Sequence, residues 1–437
     1  MGAFKKLLIA ALLLAVAFGL WTSFHYTFKA YSLDGDAAFF PMLWHGWREH
    51  GLDFFRSWNF DQDNWLFSPA PLVFLAYYVF GLNGYTVLGL GWAFFVVNAL
   101  LLAIMTRFLL GRWSLAALVA LCLGLFAGEH AMKKGLLAYT VCHNTSMAWT
   151  FIAVITAAYG IEKLSGLCAF ILACITFIAA VSDPWFNAAC SMPLVLVLSV
   201  MSVKGKGHRR QSRNLLLGIA AGWALAYTRL LGLASFLSKG SIQFISSPVR
   251  MFANVHSYIA AVDAFLPSGQ ILACNHIAGT LFIIISLVLA FESFRWLALR
   301  IKYLQARQAM IAGFFLCSIL IMSAAFLFLL VDAGPYRFRY LVNVYYGLLV
   351  IAVFVFAFRW ADLPVIFRAA ASIWVLIFMA AGVASDPVAW EKAAKVNDQG
   401  ASALARFLDQ NGLHYGYGDY FAASADTVSW VSGYRNI

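Results

Sequence analysis

Two carboxylates, Asp34 and Asp36, bracket a glycine just beyond the first hydrophobic segment. An acid at the mouth of a membrane is costly unless it faces water, a substrate or a partner. Asp36 also heads an amphipathic run, Ala37 to Gly51, and aspartate is a preferred residue at a helix start. A carboxylate aimed in this way can take a proton from an attacking hydroxyl. The plain alternative is a solvated loop capping an interfacial helix. Cations of the right kind lie elsewhere: Arg337 and Arg339 in the stretch 332–339, Lys133 and Lys134 in the stretch 129–142, and Arg229 toward the end of a hydrophobic segment. Fixed cations stabilise charge developing on a departing phosphate, and arginine binds phosphate with a planar fork that keeps its charge. Asp183, in a very short turn Ser182-Asp183-Pro184-Trp185, and His143, which opens another hydrophobic segment, complete the set. Asp183 has a second reading as a helix cap beside Pro184, a good first-turn residue. Lysines 133 and 134 have one as interfacial anchors, and Arg229 has one as a snorkelling side chain.

The elements that must hold these residues are membrane helices. With 63% hydrophobic and 11% charged residues, the chain is a polytopic membrane protein and not a soluble domain. Apolar stretches near the ~20 residues that span a bilayer recur from end to end. About eleven are expected, near 7–28, 85–106, 113–128, 143–161, 165–182, 185–203, 214–237, 276–298, 308–331, 340–358 and 364–384. The stretch 71–82 is too short to cross and reads as a half-inserted helix. Residues 1–385 then form the membrane domain, 29–70 a long first outer loop carrying interfacial helices, and 386–437 a short outer tail with an amphipathic helix from Ala401 to Leu413.

Basic residues set the orientation. With Lys5 and Lys6 inside, alternation places Arg107, Arg112, the 204–213 cluster, the 295–307 cluster, Arg359 and Arg368 on the same inner side. This is the positive-inside pattern, so the net charge of +11 is a topology signal and gives no reason to expect nucleic acid as a partner. Of the 19 acids, only Glu162, Glu292 and Asp362 fall inside. Acids contribute little to topology, so their surplus outside asks for another cause, and a working surface is the simplest. The first segment reads as an uncleaved signal anchor. The seven cysteines lie mostly within the apolar stretches without paired spacing. The sequence holds no internal repeat, no Walker-type glycine loop and no His-Glu-x-x-His, while Asp34-Gly-Asp36 offers hard oxygen ligands that leave a metal site open.

The segment from Asp36 through Phe40 to Gly51 resembles the first outer loop of the GT-C glycosyltransferases that use polyprenyl-phosphate sugars. The nearest branch is that of the lipid A aminoarabinose transferase and the protein O-mannosyltransferases. Pro69-Ala-Pro71 followed by an apolar run ending Phe80-Gly81 is similar to the proline pair and half-helix of that family, with the pair split. Arg337-Phe-Arg339-Tyr340-Leu resembles the family's Arg-Tyr-Leu stretch facing the lipid phosphate, and His143-Asn144 and Ser182-Asp183-Pro184 look like elements of bacterial members. The sequence departs in having Ala37 where a second acid often stands, which leaves open whether Asp34 or Asp36 is the base. The basic residue usual near the proline pair is missing, and Lys133 or Lys134 is its candidate replacement.

The resemblance implies an all-α GT-C fold and an inverting transfer in one displacement, without a cofactor or an obligatory metal. The donor would be a sugar on a polyprenyl phosphate, undecaprenyl phosphate in a bacterial inner membrane, used at the periplasmic face. The acceptor would be a hydroxyl of a glycan, lipid or protein. Asp36 or Asp34 would be the base. Arg337, Arg339, Arg229, Lys133 and Lys134 would serve the donor phosphate, and Asp183, His143 and Tyr340 the substrate. Two alternatives stand beside it: a lipid-linked-sugar flippase or solute transporter, and a surface-polysaccharide polymerase or ligase. Transporters commonly show inverted repeats and polar groups at mid-membrane, whereas the ionisable groups here, apart from Arg229, gather at the outer ends of the stretches.

Overall fold

A computed structural model describes residues 3–30, 35–57, 65–82, 84–111, 114–126, 143–204, 207–228, 245, 247–266, 271, 276–329, 340–383 and 402–413. Among these residues the fold is all-α. In chain order the helices are α1 (Ala3–Ala30), α2 (Gly35–His50), α3 (Leu52–Ser57), α4 (Ala70–Phe80), α5 (Gly84–Leu110), α6 (Leu115–Leu125), α7 (His143–Glu162) and α8 (Ser165–Ser182). A π-helical turn (Asn187–Ser191) leads into α9 (Met192–Lys204), followed by α10 (Arg209–Tyr227), α11 (Pro248–Phe265), α12 (His276–Arg300), α13 (Ala306–Phe328), α14 (Val342–Arg359) and α15 (Val365–Val383). A further helix covers 402–410, within the stretch expected to be amphipathic.

Each apolar stretch read from the sequence contains a helix, and among the described residues six are long and apolar enough to cross a membrane. The others fall short for local reasons. The 11 residues of α6 stop at Phe126, and the 11 of α4 stop at Gly81. The π turn interrupts the segment ahead of α9. Three arginines sit inside the start of α10, which begins at Arg209 rather than after the basic cluster and ends at Tyr227, ten residues before the expected end. Thr228 there turns extended, at φ −88° and ψ 154°.

The helices between α1 and α5 form as their sequence directs. Gly51 closes α2 at φ 62°, a left-handed conformation that glycine adopts without a Cβ penalty, and its N–H returns to the Trp47 carbonyl at 2.8 Å. Pro71 sits in the first turn of α4, where its missing N–H costs nothing. Phe40 and Leu43 of α2 pack with Ala70, Val73 and Tyr77 of α4 and with Trp65 into one buried cluster.

Helix packing follows membrane rules rather than those of a water-soluble bundle. Two-thirds of the spanning window of α14 is buried (67%), against 17% for α1, so α14 is central and α1 peripheral. Gly218 and Gly222 let α10 approach α8 until a Cβ at either position would meet the Ala169 or Ala173 carbonyl oxygen, at 2.3 and 2.6 Å. Small residues four apart give van der Waals contact between backbones, which substitutes for a hydrophobic force that lipid does not supply. Buried polar groups are tied across helices. Asn98 of α5 donates to the Asn144 carbonyl of α7 at 2.8 Å, and Ser318 of α13 to the Ala189 carbonyl in the π turn at 2.7 Å.

The helix ends sort into two groups. At one end Glu162 accepts from Arg307 at 3.1 Å, Gln308 donates to the Leu109 carbonyl at 2.7 Å, and His208 Nδ1 lies 3.3 Å from the Ile161 carbonyl. At the other end of α7, about 30 Å away by helix rise, lies His143. That separation matches the hydrocarbon thickness of a bilayer, roughly 30 Å.

Candidate functional site

The site forms at the His143 end, where α7 begins and α8 stops. Asp183 follows the last residue of α8 in extended conformation, at φ −141° and ψ 99°. Its Oδ1 accepts the Trp185 N–H at 2.9 Å, a cap on the turn that Pro184 opens. The capping reading of Asp183 is therefore correct, but it uses one oxygen only. Oδ2 accepts from the Ser146 hydroxyl and lies 3.0 Å from His143 Nδ1. His143 and Ser146 are three apart on α7 and share a face, so both reach one oxygen.

All three side chains are shut away from solvent, with His143 at 2%, Ser146 at 3% and Asp183 at 1% exposure. Burying a carboxylate is expensive unless its lone pairs are filled, and here three donors fill them. The contact between Nδ1 and Oδ2 fixes the orientation of the imidazole. Nε2 is then set on the far side of the ring in a defined direction.

Aromatic rings enclose the imidazole. Tyr340 lies 5.0 Å from it by ring centroids, Trp185 5.8 Å and Trp65 6.1 Å. Trp185 also donates its indole N–H to the Tyr340 carbonyl at 3.2 Å. That bond ties the chain after α8 to the residues entering α14, 155 positions apart.

Trp65 arrives from the segment between α3 and α4, and that segment is bolted down. Its N–H donates to the Ser182 carbonyl at 3.1 Å, and the Phe67 N–H to the Ser182 hydroxyl at 3.1 Å. The Trp149 indole donates to the Ser68 hydroxyl. Trp65 itself sits at φ 53°, a left-handed conformation that costs a residue with a Cβ about 1–2 kcal/mol. The surrounding bonds and ring contacts hold it there. Because Trp65 shares a buried cluster with Phe40, α2 is anchored to the same end of the bundle. The backbone of Asp36 lies in the first turn of α2, one turn ahead of Phe40. A first turn is where the helix dipole favours a carboxylate.

The three residues expected to serve the substrate, His143, Asp183 and Tyr340, thus come together. Asp34, Lys133, Lys134, Arg229, Arg337 and Arg339 lie outside the described residues. The sequence reading missed Ser146 and the individual role of Trp65. Ser146 had a signal in its three-residue spacing from His143. Trp65 had none, since its contact depends on how the loop returns. Among the described residues no group of three His, Cys, Asp or Glu side chains is arranged to hold a metal ion.

The arrangement offers a fixed, dry polar post walled by flat aromatic faces, next to a helix whose first turn carries an acid. The chain matches no protein-family model, no curated protein and no solved structure at a significant level.

Proposed function

We propose that this chain is a GT-C-type glycosyltransferase of a bacterial inner membrane, working at its periplasmic face on a sugar linked to polyprenyl phosphate. Eleven crossings with the N-terminus inside would place the His143 end outside. The acceptor, a hydroxyl of a glycan, a lipid or a protein, attacks the anomeric carbon. The bond from that carbon to the phosphate oxygen breaks, the hydroxyl proton goes to Asp36 or Asp34, and polyprenyl phosphate leaves with its charge balanced by Arg337 and Arg339. Lys133, Lys134 and Arg229 are further candidates for that balance. One displacement inverts the anomeric centre, and no cofactor enters it.

The observation that carries this reading is the convergence at one bundle end of Trp65, His143, Asp183 and Tyr340. These residues come from four separate stretches, each of which resembles a GT-C element or borders one. Gly51 closing α2 and Gly81 closing α4 agree with the same loop layout.

The test is transfer by membranes carrying single variants. Asp36→Asn is expected to insert normally and lose about 10²-fold or more in transfer, the usual worth of a general base. If Asp34→Asn loses activity and Asp36→Asn keeps it, Asp34 is the base. If both keep it, the loop has no catalytic acid. Arg→Lys at the essential position among Arg337 and Arg339 stays impaired, because an ammonium does not reproduce the guanidinium fork.

A further inference from the structure

The first turns of α10 carry Arg209, Arg210 and Arg213, and all three are exposed. The contact of His208 with the Ile161 carbonyl, at 3.3 Å, puts this helix start at the Glu162 end of the bundle. Cations in the first turn of a helix oppose its dipole. A bias toward basic residues on one side of the membrane is satisfied equally well by a loop, so it does not explain their place inside a helix. Arg209 donates to the Val203 carbonyl at 2.8 Å. The side chains of Arg210 and Arg213 have no hydrogen bond or ion pair among the described residues, whereas that of Arg307 nearby is paired with Glu162.

Arg213 also lines a groove of about 450 Å³ between α9 and α10. The other walls are Val195 of α9 and Leu216, Leu217, Ala220 and Trp223 of α10. The α10 positions follow helical spacing and make one stripe along its surface. From Arg213 to Trp223 the helix rises about 15 Å. That is half of the roughly 30 Å hydrocarbon core, or the depth of one leaflet. An exposed cation thus stands at one end of an apolar groove one leaflet long.

We infer that this groove is a site for an anionic phospholipid of the leaflet at the Glu162 end, with its phosphate on Arg213 and Arg210 and one acyl chain along the stripe to Trp223. A zwitterionic phospholipid has the chain without the net charge, and inorganic phosphate has the charge without the chain. The inference is independent of the proposed transfer reaction, whose described residues His143, Asp183 and Tyr340 lie at the opposite end.

The test uses the full chain purified in a neutral detergent, with lipid adducts counted by native mass spectrometry. Phosphatidylglycerol is expected to bind the wild type, and phosphatidylcholine to bind at least fivefold more weakly. Arg213→Gln is expected to lose about fivefold in affinity, the usual worth of one cation near an anionic surface. Leu217→Trp, a change at a surface position that fills the groove, is expected to weaken binding while leaving the charges in place. It decides the matter if Arg213→Gln fails to fold. Equal binding of the two lipids, full competition by millimolar phosphate, or unchanged binding in both variants would overturn the site.

Discussion

The two ends of the helix bundle handle charge in opposite ways. At the Glu162 end charged groups are exposed or half-exposed, and Glu162 and Arg307 make a pair that water can screen. At the His143 end the carboxylate of Asp183 is fully enclosed and holds three donors at once. Exposed cations at a membrane surface need no partner within the protein, because water and anionic headgroups meet them. An enclosed carboxylate is tolerated only when its surroundings are built for it. The contrast teaches that charge at the Glu162 end is left to the surroundings of the protein, whereas at the His143 end the protein itself satisfies it.

The comparison breaks outright if the two ends face the same compartment. In a background lacking the seven native cysteines, single cysteines at Gln62, Gly334 and Gln410 are expected to label with an impermeant thiol reagent in intact spheroplasts. A cysteine at Gly207 is expected not to label. Labelling at Gly207, or labels on opposite sides for Gln62 and Gly334, would dissolve the common outer site.

Removing the enclosed carboxylate has the next largest effect. Asp183→Ala strands His143, Ser146 and the Trp185 N–H, and is expected to cost about 3–5 kcal/mol in a denaturant titration in mixed micelles. The matching change at the other end, Glu162→Gln, is expected to cost at most about 1 kcal/mol, and less in high salt. Equal losses for the two variants would erase the distinction between the ends.

A finer test lies at Trp65. Trp65→Ala loses the ring contacts but keeps the strained φ, whereas Trp65→Gly loses the contacts and relieves the strain. Glycine is therefore expected to be the more stable of the two by about 1 kcal/mol. At an ordinary position the order reverses, since glycine has the larger conformational entropy to lose. Alanine proving the more stable would mean that the segment 65–68 is not held as described.

Much of this architecture could be read from the residues because membrane helices obey a single strong rule, the length of apolar sequence. That rule located a helix in every stretch, and the Gly51 and Gly81 stops fell where the glycines stand. It gave boundaries poorly where polar residues sit inside helices, as at Arg209 to Arg213 of α10, and where a π turn is inserted, as at Asn187–Ser191. Those features depend on neighbours. The π turn puts the Ala189 carbonyl within reach of Ser318, and Asn187 between the Trp223 indole at 2.8 Å and the Tyr227 hydroxyl at 2.6 Å. The site was legible in part for the same reason. His143 and Asp183 stood out as polar groups at the edges of apolar runs, whereas their meeting through Ser146 and the arrival of Trp65 are properties of the assembled bundle.

The claim that sugar transfer occurs at the His143 end is tested most directly by the lipid that copurifies with the protein. Wild-type protein and Asp36→Asn would be extracted with organic solvent and their polyprenyl lipids identified by mass spectrometry. The account predicts spent polyprenyl phosphate on the wild type and the sugar-loaded form on Asp36→Asn, because the variant binds the donor but cannot turn it over. A flippase would show the same ratio in both. The same ratio in both proteins, or no polyprenyl phosphate on either, would contradict the account.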